Sequence, residues 1–212
     1  HPFIEFADDN SFVTREHYKE LLRALIPERI RWFTETDVSV AEDEELLELM
    51  RESGCQQVLI GLESPGASGL DGLEQRRNWK LKQLPTYGAA IKRIQSHGVT
   101  VNGCFILGLD GDTPEVFDEV YDFVERTGLY EVQITVQTAF PGTPLYARLK
   151  REGRMLEDGR WDKCTLFDVN FVPTHMSPEE LQGGLVDLAR RLYTEEFIAA
   201  RRQRFKEQLR HA

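Results

Sequence analysis

The first 153 residues alternate between short apolar stretches and longer amphipathic stretches, and this alternation limits the possible folds most strongly. The apolar stretches predict β-strands at about residues 3–7, 30–36, 57–62, 99–107 and 131–138. The other stretches predict helices at about residues 14–26, 42–53, 86–98, 113–128 and 143–153. Strands that alternate with helices form a parallel sheet with right-handed crossovers. The sequence therefore predicts an α/β protein.

Several residues mark where these helices begin and end. Pro27 ends the first helix, and Gly54 is suited to a left-handed cap after the second. Thr113 and Thr143 each precede a proline, which is a typical helix start. The strand bodies are apolar on successive residues, so we expect them to be buried on both faces. Five strands are too few for a closed eight-stranded barrel, so we expect an open sheet or a partial barrel.

The chain changes character after Gly153. Residues 158–174 have no clear period, and residues 64–84 form a long connection that is typical of functional or mobile loops. Ser177 opens a capping box, which predicts a helix to about residue 193, and a charged helix follows to about residue 210. We therefore expect a barrel core at residues 1–153 and a C-terminal irregular segment with helices at residues 154–212.

Polar residues or glycine follow the predicted strands at their carboxyl ends, where α/β proteins build their sites. The candidates are Asp8, Asp9, Asn10, Glu35, Thr36, Glu63, Ser64, Ile106, Gly108, Gln137 and Thr138. The first three can bind an ammonium group or a hard cation, or can form an Asx turn. Glu63 and Ser64 can hold a ribose diol, or can be turn residues. Gly108 allows a flat ring to approach the backbone.

Composition limits the partners. The chain has 212 residues and a net charge of −10, which disfavours nucleic acid. Its three cysteines, Cys55, Cys104 and Cys164, are too scattered to indicate a disulfide framework or a metal site, and Cys104 reads as a small buried hydrophobe. We expect a cytoplasmic protein with no membrane span. The chain does not begin with Met, so we expect a piece of a longer protein.

Six stretches resemble the radical S-adenosylmethionine enzymes, specifically the subgroup with an N-terminal cobalamin-binding domain. They are FADDN at 6–10, TET at 34–36, DEELL at 43–47, VLIGLESP at 58–65, GCFILGLD at 103–110 and FPGTPLY at 140–146. The later NFVP at 170–173 and MSP at 176–178 fit the same subgroup. The resemblance implies a partial (β/α) barrel that holds five of the six core strands.

The resemblance also implies roles for the candidate residues. Asp8 and Asp9 would bind the methionine ammonium of S-adenosylmethionine, and Glu63 and Ser64 would contact its ribose and carboxylate. The backbone of Ile106 and Gly108 would meet the adenine, with Gln137 and Thr138 nearby. Asn10, Glu35 and Thr36 complete the expected cofactor-binding set. Cys104 departs from the glycine that some relatives have at this place.

The Cys-x-x-x-Cys-x-x-Cys motif that binds the family's [4Fe–4S] cluster does not occur in this sequence. The resemblance implies that the whole protein uses S-adenosylmethionine, a [4Fe–4S] cluster and cobalamin for methyl transfer, cyclisation or a similar radical reaction on a small molecule. This chain alone is expected to be inactive and to hold no cofactor tightly. Its partners would be the N-terminal part of the same protein, or a second copy paired through the exposed first strand.

Two other interpretations remain open from the residues. The chain could be a scaffold or binding module that never holds a cluster. It could also be an unrelated α/β-barrel isomerase or hydrolase that uses the acidic residues of the rim, with magnesium as a further cofactor.

Overall fold

A computed structural model describes residues 3–74 and 78–210 of the chain. One sheet has the strand order β1-β2-β3-β4-β5, and each neighbouring pair is parallel. The strands are β1 Phe3–Phe6, β2 Arg31–Thr36, β3 Cys55–Glu63, β4 Thr100–Leu107 and β5 Glu131–Val136. Parallel strands in sequential order are the arrangement of a (β/α) barrel wall. The predicted α/β fold, a partial barrel, is confirmed.

Helices follow the strands as expected. They are α1 Arg15–Leu25, α2 Glu44–Ser53, α3 Ala67–Leu70, α4 Trp79–Gln83, α5 Tyr87–Ser96, α6 Val116–Thr127, α7 Pro144–Arg151, α8 Pro178–Leu192 and α9 Glu195–Arg210. Short 3₁₀ turns lie at Ile26–Glu28, Val38–Glu42, Leu84–Thr86 and Trp161–Lys163. The long connection after β3 thus contains two short helices, α3 and α4, which the sequence pattern did not indicate. The division of the chain at residue 153 stays a prediction.

The sequence-based helix boundaries are largely correct. Thr143 and Ser177 cap α7 and α8, and Ser177 forms a full capping box with Glu180. Gly54 ends α2 in the left-handed conformation, with φ of 97°. The helix predicted to begin at Thr113 instead begins three residues later, because residues 113–115 form a turn before α6.

Burial alternates along the strands, so the expectation that both faces are buried is wrong. In β2, Trp32 and Thr34 are buried, whereas Phe33 and Glu35 are partly exposed, and β3 and β4 alternate in the same way. The buried side chains form one core with the helices. The helices cover one face of the sheet, so only every second strand residue is fully buried. We call the opposite side the open face; it carries the partly exposed side chains of Phe33, Glu35, Leu59, Glu63, Asn102, Cys104, Ile106 and Thr135, and the Cα of Gly61.

The C-terminal segment packs along the outer edge of β5. The N–H of Val136 donates to the carbonyl of Leu166 at 2.7 Å. The hydroxyl of Tyr193 donates to the carbonyl of Val132 at 3.0 Å, and a guanidinium N–H of Arg201 donates to the carbonyl of Tyr130 at 3.1 Å. These bonds satisfy backbone groups of a strand that would otherwise be an open edge. Of the helices that the structure describes, none combines the length and apolar character needed to cross a bilayer.

Candidate functional site

The loop after β1 carries three polar candidates, Asp8, Asp9 and Asn10, at the carboxyl edge of the sheet, which we call the rim. The hydroxyl of Tyr18 donates to a carboxylate oxygen of Asp8 at 2.7 Å. The amide of Asn10 donates to Asp37 at 2.9 Å and so joins this loop to the end of β2. Two of the three candidates in this loop therefore have protein partners already.

Asp9 lies close enough to Glu35 on β2 to change its acidity. The pKa of Glu35 is raised above its ordinary value, first by burial and then by the negative charges of Asp9 and Glu5. Three carboxylates from two neighbouring strands and the loop after β1 therefore share one region beside the open face. Such a region favours a cationic group, which would relieve their mutual repulsion.

Glu63 ends β3 in an unusual backbone conformation. Its φ is 64°, in the left-handed region that residues with a side chain rarely adopt, and the pairing register with β4 shifts between Gly61 and Glu63. A bulge of this kind re-aims a side chain at the end of a strand. Here the bulge turns the Glu63 carboxylate back over Gly61, where it forms an ion pair with Lys80.

Gly61 provides the space for this pair. A Cβ at Gly61 would lie 2.5 Å from a carboxylate oxygen of Glu63 and 3.1 Å from Nζ of Lys80. The ammonium of Lys80 also donates to the carbonyl of Gly61 at 2.9 Å. The missing side chain therefore allows an acid and a base to lie directly on the open face of β3.

Cys104 on β4 lies on the open face of the sheet, as do Glu35 on β2 and Glu63 on β3. Its thiol pKa is raised to about 12, first by burial and then by the charges of Glu63 and Glu35, against the effect of Lys80. The thiol points to the side chain of Gln133 on β5, at 3.7 Å. Cys104 is therefore half-buried on the open face and does not belong to the core, contrary to its sequence interpretation, because its position in β4 has the open-face parity.

Asp112 connects the loops that follow β3 and β4. One carboxylate oxygen accepts the N–H of Gly108 and the N–H of Leu109, each at 3.0 Å. Burial is the main cause that raises the pKa of Asp112 to about 7. Ser64, also buried, lies nearby, because a Cβ at Gly69 would meet both Ser64 and Asp112 within 2.7 Å. Ser64 and Asp112 therefore both lie against Gly69 of α3, in the connection after β3.

Gly108 has a positive φ of 84°, and other side chains of the protein fill the space where a Cβ would lie. A Cβ there would lie 2.6 Å from Leu181 and 3.3 Å from Phe171. The close approach that this glycine permits is thus made by a side chain of α8. Ile106, two residues earlier, keeps the open-face parity of β4.

The end of β5 borders a cavity of about 500 Å³. Gln137 lines it, and the Oε1 atom of Gln137 is buried without a hydrogen-bond partner among the described residues. Its other walls come from the connection after β3, the loop after β4 and α7: Gly69, Asp71, Gly72, Leu73, Leu109, Asp110, Pro144, Leu145 and Arg148. A cavity of this size at the carboxyl edge of a parallel sheet suits a small molecule.

Three candidate hydroxyls are already used inside the protein. Thr36 donates to the carbonyl of Ser11 at 3.1 Å, and Thr138 donates to the carbonyl of Val136 at 3.0 Å. The hydroxyl oxygen of Ser64 accepts the N–H of Gly66 at 3.2 Å. These groups shape the loops of the rim, whereas Asp9, Glu35, Glu63, Ile106 and Gln137 lie on or beside the open face.

The sequence interpretation missed Gly61, Lys80 and Asp112. Gly61 interrupts an otherwise apolar strand, which is a sign of close approach by another group. Lys80 lies in the long connection and had no local pattern to distinguish it. In the described ranges, 3–74 and 78–210, no three His, Cys, Asp or Glu side chains are grouped to hold a metal ion.

Known proteins share both the sequence and the fold. The chain is 28% identical over 200 residues to the bacteriochlorophyllide d C-12(1)-methyltransferase of Chlorobaculum tepidum, covering 94% of this chain and 42% of that protein. It is 32% identical over 161 residues to the hopanoid C-2 methylase of Rhodopseudomonas palustris, covering 73% and 30%. A family described as a domain of unknown function, DUF4070, matches residues 143–212.

The solved structure of the radical S-adenosylmethionine methyltransferase TsrM from Kitasatospora setae, with cobalamin and a [4Fe-4S] cluster bound, has the same fold. Its TM-score is 0.67 at 18% identity, and the match covers 89% of this chain and 42% of that one. This chain therefore has the fold of a radical S-adenosylmethionine methyltransferase, and its sequence is similar to methyltransferases. It spans less than half the length of each of these relatives.

Proposed function

We propose that the open face, at the carboxyl ends of its strands, binds S-adenosylmethionine. The observation that carries this proposal is the meeting of Glu35, Glu63, Cys104 and Lys80 on one face, with Asp9 beside them. S-adenosylmethionine has a flat base, a ribose diol and a zwitterionic amino acid. Carboxylates, an ammonium group and a nearby buried amide are complementary to those parts.

Each part of the ligand has a candidate partner. The methionine ammonium would be held by Asp8, Asp9 and Asn10, and Glu35 would add negative charge beside them. The ribose diol would be held by Glu63. The adenine would lie along the backbone of Ile106, and along Gly108 on the side away from Leu181, with the Gln137 amide nearby. Thr36, Ser64 and Thr138 would support these loops from inside.

S-adenosylmethionine supplies a sulfonium that yields a carbon radical when it is cleaved by one electron. We propose that the whole protein is an enzyme of this kind, and that it transfers a methyl group to a small molecule. Methyltransferases at 28% and 32% identity support this reaction, and a cyclase at 24% identity supports cyclisation as the alternative. The role of this chain is to bind and orient the ligand.

The cysteines of this chain do not fit an iron–sulfur cluster. Cys55 is buried at the start of β3, Cys104 lies on β4, and Cys164 lies in the C-terminal segment. We propose that the cluster, and cobalamin, are held by another part of the whole protein, and that this chain alone is inactive. Because the three described cysteines are free thiols, we also propose a reducing compartment, the cytoplasm.

The isolated chain tests the binding proposal. Ligand-observed NMR with S-adenosylhomocysteine should show specific, weak binding, in about the millimolar range. Asp9→Asn and Glu63→Gln should each weaken it, whereas Asp187→Asn, which alters an exposed acid on α8, should not. Equal binding by all four proteins, or none by the unaltered chain, contradicts the proposal.

Inactivity has its own test. After anaerobic reconstitution with iron and sulfide, the isolated chain should contain no stoichiometric cluster and should not cleave S-adenosylmethionine. A cubane cluster with turnover contradicts this part and leaves the binding proposal unaffected.

A further inference from the structure

We propose that an exposed apolar surface beside the end of β5 binds the substrate, and that the substrate therefore has an extended, neutral and apolar ring system. We call this surface the apolar ridge; it consists of Phe140, Trp161, Leu166 and Phe167. The inference rests on the proposed function, because it names the substrate class of that site. The exposure of the ridge, its fixed position and the pairing of the charges around it support the inference.

The side chains of the apolar ridge are exposed although they are large and apolar. Phe167 is 57% exposed and Trp161 is 49% exposed. In the described part of the chain, six of the twelve exposed large apolar side chains lie within residues 140–172. Single exposed apolar residues are normal on a protein surface, whereas a group of them indicates a binding surface.

Hydrogen bonds hold the apolar ridge against the end of β5. The N–H of Val136 donates to the carbonyl of Leu166 at 2.7 Å. The thiol of Cys164 donates to the carbonyl of Ala139 at 3.8 Å, and Phe140 follows Ala139 directly. These contacts join the part of the ridge in the C-terminal segment to its part in the loop after β5.

The backbone of the apolar ridge is strained and fixed. Leu166 has a φ of 68°, in the left-handed region that a leucine rarely adopts. The side chain of Gln182 on α8 donates to the carbonyl of Phe167 at 3.2 Å and accepts the N–H of Val169 at 3.3 Å. Strain that the surrounding structure maintains is typical of ligand sites. A ligand would therefore meet side chains on a backbone that is already ordered, which lowers the entropy lost on binding.

The charged groups close to the ridge in the sequence pair with one another. Lys163 lies 2.8 Å from a carboxylate oxygen of Asp168. Arg160 pairs with Glu157 at 2.7 Å and with Asp162 at 2.8 Å. A charged ligand would have to displace one of these pairs, so the surface favours a neutral one. The aromatic side chains of the ridge favour a ring system, because rings pack well on rings.

The apolar ridge borders the proposed adenosyl site. Gln137, proposed to lie near the adenine, directly follows Val136, whose N–H is bonded to the ridge residue Leu166. Both groups therefore lie at the carboxyl edge of the sheet. A molecule on the ridge would lie beside the bound adenosyl ligand, as a substrate must, and this continuity favours a substrate over a partner protein.

The test uses Nile red, a neutral, flat and apolar dye that fluoresces more strongly in apolar surroundings. The 212-residue chain should bind it in a saturable way. Phe167→Gln and Trp161→Gln should each weaken binding about threefold to tenfold, the effect of one aromatic contact. Phe3→Gln is the matched control, because Phe3 is equally exposed but lies at the opposite edge of the sheet. Equal affinity of all four proteins, or an equal loss in all three variants, overturns the inference.

Two further titrations separate the alternatives. Saturating S-adenosylhomocysteine should leave dye binding intact, because neighbouring sites fill together; competition would place the dye on the open face and overturn the inference. If the chain binds the dye at the ridge but does not bind S-adenosylhomocysteine, the proposed function is wrong and the apolar site stands. The whole protein should also bind the dye at the ridge. Loss of that binding would show that another segment covers the ridge, contrary to the inference.

Discussion

Asp112 accepts the backbone N–H of Gly108 at 3.0 Å and thereby closes the loop that follows β4. The same oxygen accepts the next N–H along the chain, that of Leu109. The contact is buried, with Asp112 only 3% exposed. The carboxyl group of Asp112 therefore holds the loop that carries the proposed adenine contact. Because this group is buried, its negative charge is unfavourable there.

This geometry predicts a pH-dependent stability. Burial raises the pKa of Asp112 from its ordinary 3.8 to about 7 in the folded protein. Between these values the folded state binds the proton more tightly than the unfolded state, so this contribution to stability is lost as the pH rises through about 7. Asp112→Asn, which stays neutral, should therefore gain in melting temperature relative to the unaltered chain between pH 5 and 8.

Asp122→Asn serves as the control, because Asp122 is an exposed acid on the neighbouring α6. Its melting temperature should run parallel to that of the unaltered chain over the same pH range. Parallel curves for Asp112→Asn as well would show that Asp112 does not carry the effect.

Two adjacent glycines of α8 should respond in opposite directions to alanine. A Cβ at Gly183 meets nothing within 4 Å, whereas a Cβ at Gly184 would lie 2.1 Å from the ring of Phe117. Gly183→Ala should stabilise the fold by about 0.5–1 kcal/mol, since alanine is the better helix former. Gly184→Ala should destabilise it by about 1–3 kcal/mol through overpacking. Urea unfolding measures both, and a stabilised Gly184→Ala would refute the packing of α8 on α6.

Most of the fold could be predicted because its determinants are local. Strand and helix patterns, the cap at Ser177 and the left-handed Gly54 are all set by neighbouring residues. The wrong expectation, burial on both faces, came from reading apolar β3 and β4 as central strands of a fully covered sheet. Which face the helices cover depends on the tertiary arrangement, and the sequence of a single strand does not determine that arrangement.

The site was only partly predictable for the same reason. Glu63 was identified from its place at the end of a strand, but its partner Lys80 lies 17 residues later. Asp112 was not identified as a candidate, although it is buried and bonded to the loop after β4. Contacts of this kind depend on how the connections fold back over the sheet. The pattern of neighbouring residues in the sequence therefore does not predict them.

The edge of β1 predicts self-association of this chain. Among the described strands β1 pairs only with β2, and Phe3 is 56% exposed while its ring stacks on Phe33 at 5.4 Å. An exposed edge beside an apolar ring favours pairing with a second copy. Light scattering should show a mass that rises with concentration, and Phe3→Lys should suppress the rise. Val13→Lys changes another exposed apolar side chain and should not; a monomer at all concentrations contradicts the prediction.

Gly61→Ala should separate ligand binding from stability. The added methyl group would collide with the Glu63 carboxylate at 2.5 Å, but this is the end of a side chain that can turn away. The backbone of Gly61 has no positive φ, so alanine brings no conformational strain there. Thermal unfolding should therefore change little, whereas the Glu63–Lys80 pair is displaced and the affinity for S-adenosylhomocysteine in NMR titration falls. Retention of full affinity would show that the space over Gly61 is not part of the ligand site.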